Sequence, residues 1–185
     1  MSDRSTKVQH SVVKNDLIVL QAVGLFAFTN LLWSGHRVVA QWIHFLWGQP
    51  AAYIAGLFFW QKPSLIDGSW VIPVSGTLVR VTRECDAFGF FSLIVSVSVV
   101  HILSRYQSRP VFKWAAVAAT VAGAYLLTIL LNGIRIVGAY YVHAWAQALS
   151  LEKFQGLLHL GVGVMVFLPV LCAVIIYWER ELFYE

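Results

Sequence analysis

Three places in this chain carry side chains able to do covalent chemistry: Cys85, the stretch Asn132-Gly-Ile-Arg135, and His159. A cysteine thiolate can attack a carbonyl carbon and form a thioester, which divides one hard acyl transfer into two easier ones. A histidine can take and return the proton, a service worth roughly 10²- to 10⁴-fold in rate. Arginine and asparagine can donate to a substrate carbonyl or to the oxyanion it becomes. Each residue also has a plain structural reading. Cys85 can serve as a small buried apolar residue. Arg135 can snorkel to lipid phosphates. His159, followed by Gly161 and Gly163 at helix-packing spacing, can be a satisfied core histidine.

Cys85 stands between a polar segment, Thr82-Arg-Glu-Cys85-Asp, and an apolar run from Ala87 to Leu103. If that run is a helix, Cys85 lies at its N-terminal end, where unpaired backbone N–H groups and the helix dipole favour a thiolate. Arg83 acts in the same direction, and Glu84 and Asp86 oppose it.

Composition constrains the elements that must hold these residues. Of 185 residues, 59% are hydrophobic and only 12% charged, and the mean hydropathy is +0.72. These values describe an integral membrane protein rather than a soluble domain. The chain reads as a single domain, residues 1–185, with no internal repeat. A net charge of +4 and a pI near 9.2 do not imply a nucleic-acid partner, because the basic residues flank apolar runs and form no stripe. The two cysteines allow one bridge at most. Cys172 lies about 20 Å into the last apolar run, which argues against pairing with Cys85.

The sequence predicts an all-α polytopic protein with about four transmembrane helices, at residues 17–33, 87–103, 114–131 and 157–178. Arg4, Lys7 and Lys14 precede the first run, and Trp33-Ser-Gly-His36-Arg37 is a poor cleavage site, so an uncleaved first span with a cytoplasmic N-terminus is expected. Arg105, Arg109 and Lys113 assign the loop between the second and third spans to the cytoplasm. Val38 to Trp60 is interrupted by Gly48-Gln49-Pro50 and carries Gln41, Trp42, His44 and Trp47. It reads as an interfacial helix with its indoles at headgroup level. Residues 58–84, with turn signals at Asp67-Gly68 and Ser75-Gly76, read as a small extracytoplasmic β-hairpin leading into Cys85. Asn132 to Gly156 reads as a second interfacial helix, on the outer face. This topology places Cys85, Arg135 and His159 on one side of the membrane.

The order of these motifs resembles the exosortase/archaeosortase family of membrane cysteine transpeptidases. That family has a β-type lead-in to a cysteine at a helix start, then Asn-x-x-Arg, then His-x-x-x-Gly-x-x-x-Phe. The matching residues are Cys85, Asn132 with Arg135, and His159 with Gly163 and Phe167, and the resemblance covers about residues 40 to 180. It implies cleavage of a C-terminal sorting tail from exported proteins, the tail comprising a short motif, an apolar span and a basic end, with transfer of the new carboxyl terminus to an acceptor. It further implies Cys85, Arg135 and His159 as catalytic residues, Asn132 as a substrate-binding donor, no cofactor or metal, and an inner-membrane site on the extracytoplasmic face beside lipid. The family pattern has Cys-Ser-Gly or Cys-Ala-Gly, whereas this chain has Cys85-Asp-Ala-Phe-Gly89. The chain is also short for the bacterial members.

Two other classes stay open from the residues alone. A transporter or channel subunit would use Arg135 and His159 as pathway residues, although few other polar groups interrupt the spans: Ser92, Ser96, Ser98, Thr120 and Thr128. A metal site would need Cys85, His159 and either His143 or His44, without any local pair at ligand spacing.

Overall fold

The computed structural model describes residues 20–31, 41–42, 44–82, 85–105 and 110–183. The basic N-terminal segment, the ends of the first expected span, Arg83, Glu84 and the centre of the basic loop lie outside the described residues. In chain order the elements are α1 (Leu20–Leu31), a π-helical turn (His44–Gly48), α2 (Gln49–Phe59), strands β1 (Ser64–Ile66), β2 (Ser69–Val74) and β3 (Thr77–Val81), α3 (Phe88–Arg105), α4 (Pro110–Ala148), a 3₁₀ turn (Glu152–Phe154) and α5 (Gln155–Phe183).

Among the described residues, two helices are long and apolar enough to cross a bilayer, Trp114–Ala148 and Gln155–Trp178, with mean hydropathies of 1.9 and 2.6 over their most apolar 18-residue stretches. They expose Leu126, Leu130, Leu157 and Met165, an apolar surface suited to lipid. Of the four expected spans, 114–131 and 157–178 fall within these two helices. Leu20–Leu31 and Phe88–Leu103 are shorter apolar helices.

The third expected span and the outer interfacial helix are one continuous helix, not two. No proline interrupts α4 after Pro110, and the 39 residues of this helix form a rod of about 58 Å, against a hydrocarbon core of roughly 30 Å. Gly133, inside it, is a packing site: a Cβ there would overlap Ile54 of α2. Asn132 and Arg135 therefore sit in mid-helix rather than at a helix end.

The expected hairpin is a three-stranded antiparallel meander, β1-β2-β3. Both connections are two-residue turns with positive φ at each position, Asp67 (50°) with Gly68 (73°) and Ser75 (48°) with Gly76 (82°), the geometry that matches strand twist. Val74 pairs with Thr77 and Ile72 with Val79 across β2 and β3. By the alternation of antiparallel bonding, the nitrogen of Pro73 then faces the side where β1 has already ended.

One face of the sheet, Trp70, Ile72, Val74 and Val81, packs with Ala51, Ala52 and Ala55 of α2 and Ile136 of α4. Small residues on α2 let its backbone approach α4 closely. Cys85 belongs to this core. The π-turn is docked by Trp47, which is buried against Phe88 (5.4 Å), Phe91 (5.2 Å) and Tyr125 (5.3 Å), so this indole is a core residue and not a headgroup anchor. Tyr125 also donates to the Leu46 carbonyl at 2.9 Å. Side-chain bonds tie the shorter helices in: Asn30 donates to Ser92 (3.0 Å) and Trp178 to Ser98 (3.2 Å).

Candidate functional site

Helix α3 starts at Phe88, so Cys85 precedes it by three residues instead of occupying its first turn. The intervening turn is held from several directions. The Cys85 amide donates to the Thr82 carbonyl at 2.9 Å, and the Thr82 hydroxyl lies 3.8 Å from Cys85 Sγ. The side-chain amide of Asn132, 1% exposed, donates to the Cys85 carbonyl. Asp86, expected to act as a charge opposing a thiolate, is instead buried and bonded to His44, Nδ1 to Oδ1 2.7 Å. Ala87 then adopts φ 53°, a left-handed conformation that costs a residue with a Cβ about 1–2 kcal/mol.

Arg135 is one turn along α4 from Asn132. Its Nη2 donates to His159 Nε2 at 2.9 Å. A guanidinium has no acceptor, so in this pairing Nε2 accepts and the ring proton resides on Nδ1. The i, i+4, i+8 stripe of α5 is built around this guanidinium. His159 bonds it, Gly163 makes room for it (a Cβ there would lie 3.3 Å from Nε), and Phe167 offers its ring face 5.9 Å away. Phe167 also stacks on Phe90 of α3 at 4.5 Å.

Two hollows meet at His159. A cleft of about 390 Å³ lies under the meander and is lined by Cys85, Val79, Arg80, Tyr140, His143 and His159. A groove of about 630 Å³ runs between α3 and α5 and is mostly apolar, with Phe90, Leu160, Val164, Phe167 and Leu171 in its walls and Arg135 and His159 at its polar end. A reacting carbonyl near Cys85 would have hydrogen-bonding groups on one side and an apolar channel on the other.

The structure therefore brings Cys85, Asn132, Arg135 and His159 to one place. Cys172 does not join them; it is a free cysteine exposed on α5, as Cys85 is a free buried one. Two residues that the sequence offered only as alternative metal ligands sit elsewhere than expected. His44 was placed at an interface and is buried in the core. His143, read as part of an outer-face helix, packs its ring 5.9 Å from that of His159, with its Nε2 buried and without a hydrogen-bond partner. The available signal was polarity itself, since ionisable residues inside apolar stretches mark sites. Among the described residues, no group of three or more His, Cys, Asp or Glu side chains is arranged to hold a metal ion.

No protein-family model, curated protein or solved structure matches the chain.

Proposed function

We propose that this chain is a multi-pass membrane cysteine peptidase or transpeptidase of the exosortase type, which removes a C-terminal tail from exported proteins. The observation that carries the reading is that Cys85 and His159 line one cleft, while His159 and Arg135 close the end of the adjoining apolar groove. The groove suits the apolar span of a tail, and the cleft suits the extended peptide preceding it. In this reading α1, α3, α4 and α5 are the crossing segments of a protein in the cytoplasmic membrane, and the meander covers the site on the outer face.

The resting bond from Arg135 to His159 Nε2 occupies the lone pair a general base needs. Binding of a substrate carbonyl gives Arg135 a second acceptor, one that becomes the stronger as its oxygen turns anionic, and the shift of the guanidinium toward it frees Nε2. The Cys85 thiol proton then moves to Nε2, sulfur bonds to the carbonyl carbon, and Arg135 holds the oxyanion. Collapse breaks the C–N bond, and Nε2 returns the proton to the leaving nitrogen. The acceptor, water or an amine, attacks the thioester and gives its proton to Nε2, from which the departing thiolate recovers it. Partial exclusion of bulk water at the bilayer face would favour an amine over hydrolysis.

The test is loss of the tail from a tailed substrate in membranes containing each variant at matched amounts. Cys85→Ala should abolish processing, His159→Ala should remove most of it, and Cys172→Ala, on the exposed face of α5, should leave it intact. Processing that survives Cys85→Ala removes this reading and returns a transport role for Arg135 and His159 to first place.

A further inference from the structure

We propose that His44 and Asp86 form a positioning clamp that holds the Cys85 turn in its working shape. The inference rests on Cys85 being the nucleophile. Asp86 immediately follows Cys85, and its carboxylate, in a residue only 2% exposed, meets His44 Nδ1 at 2.7 Å across 42 residues of chain. That distance is in the range of charge-assisted bonds. The His44 side of the contact is rigid. The π-turn buries His44, Trp47 and Gly48 together, and Trp47 wedges against the first residues of α3. Gly48 is the space that permits the pair: a Cβ there would stand 3.1 Å from Asp86 Oδ1 and 3.1 Å from His44 Nδ1.

The turn needs an external hold because of Ala87. Its φ of 53° is a conformation that alanine leaves unless its surroundings over-determine it, and relaxation there would swing Cys85 relative to the start of α3. Asn132 holds the carbonyl of Cys85, and the clamp holds the next side chain, so the two contacts bracket the peptide unit between Cys85 and Asp86. His44 and Asp86 act through Cys85 and are positioning residues, not catalytic ones.

A glycine at position 87 tolerates the left-handed conformation without help, which makes the clamp and that position thermodynamically coupled. In a full-length Cys172→Ser background, the rate at which a membrane-impermeant maleimide labels Cys85 reports the turn without any substrate, and tail removal reports the reaction. His44→Ala should raise the labelling rate at least fivefold and lower tail removal at least tenfold. Ala87→Gly alone should change both by less than twofold, and added to His44→Ala it should reverse most of the rise in labelling and most of the loss of tail removal. Equal effects of Ala87→Gly with and without His44 would overturn the clamp, because a general gain in stability is additive and a coupled one is not. If His44→Ala does not accumulate in the membrane, His44→Asn and His44→Gln decide. Asn places its donor where Nδ1 stands and should retain processing and slow labelling, and Gln places it too far out and should not. Identical behaviour of the two variants would also overturn the clamp. If the wild-type chain removes no tail, the nucleophile assignment fails, while the labelling cycle still determines whether positions 44 and 87 are coupled.

Discussion

Asn132, on the long helix α4, reaches 47 residues back in sequence to hold the backbone carbonyl of Cys85. Its amide nitrogen is committed to that carbonyl, and its Oδ1 is buried without a hydrogen-bond partner. The residue expected to bind substrate therefore fixes the backbone that presents the cysteine. Its oxygen can only accept, so it suits a substrate N–H rather than a carbonyl.

Asn132→Asp should be worse than Asn132→Leu. A carboxylate cannot donate to the Cys85 carbonyl and would be buried beside it, whereas leucine only leaves the acceptor unpartnered, at a cost of about 1–3 kcal/mol. The check is thermal unfolding of the detergent-solubilised protein, with both variants below wild type and Asp the lower. Equal stability of all three would mean that the Asn132 bond does not hold the turn.

Gly163→Ala should impair chemistry more than folding. The added methyl would lie 3.3 Å from Arg135 Nε and displace the guanidinium by a few tenths of an ångström. The expected result is at least a tenfold drop in tail removal with the unfolding temperature within a few degrees of wild type. Arg135→Lys should be as damaging, because an ammonium is a point charge and cannot offer a planar fork to His159 and a carbonyl in turn. Full processing by the lysine variant would assign Arg135 to snorkelling.

Gly133→Ala should destabilise α2 on α4, because its Cβ has no space beside Ile54. Overpacking of this kind costs roughly 1–3 kcal/mol. Trimming the obstruction with Ile54→Ala should recover more than half of the loss. Additive effects of the two substitutions, measured by unfolding, would contradict the close approach.

The register of the meander distinguishes neighbouring positions on its edge strand. Val79 is opposite Ile72 in a hydrogen-bonded pair, so Val79→Pro removes a ladder bond. Leu78, opposite Pro73, directs its N–H away from β2. Processing should fall sharply for Val79→Pro and much less for Leu78→Pro, with both proteins still inserted. The reverse order would place the register one residue off.

Topology is tested by reporter fusions. Fusions after Lys113 and at Glu185 should report the cytoplasm, and fusions near Gly68 and Gln147 the outside. A cytoplasmic signal at Gly68 would separate Cys85 from an exported substrate and end the proposed mechanism.

The sequence by itself determined the features whose cause is local. Runs of apolar residues set the helices, Asp67-Gly68 and Ser75-Gly76 set two turns where φ must be positive, and β-branched residues between them set the strands. Spacing along one helix was also legible, since Asn132 with Arg135 and His159 with Gly163 and Phe167 share faces by the helical repeat alone. The sequence did not disclose where α4 ends, because a semi-polar stretch after Leu131 looks like a new interfacial helix until Gly133 is seen packed on Ile54. Nor did it disclose the company each polar group keeps. Asp86 reads as a charge beside Cys85 and is buried on His44 instead; Arg135 reads as an oxyanion donor or a snorkelling cation and is bonded to His159. Those pairings join residues 42 and 24 positions apart, and a buried polar group takes whichever partner tertiary packing brings within about 3 Å. Local pattern fixes which face of a helix is polar, but only the assembled helices decide what that face meets.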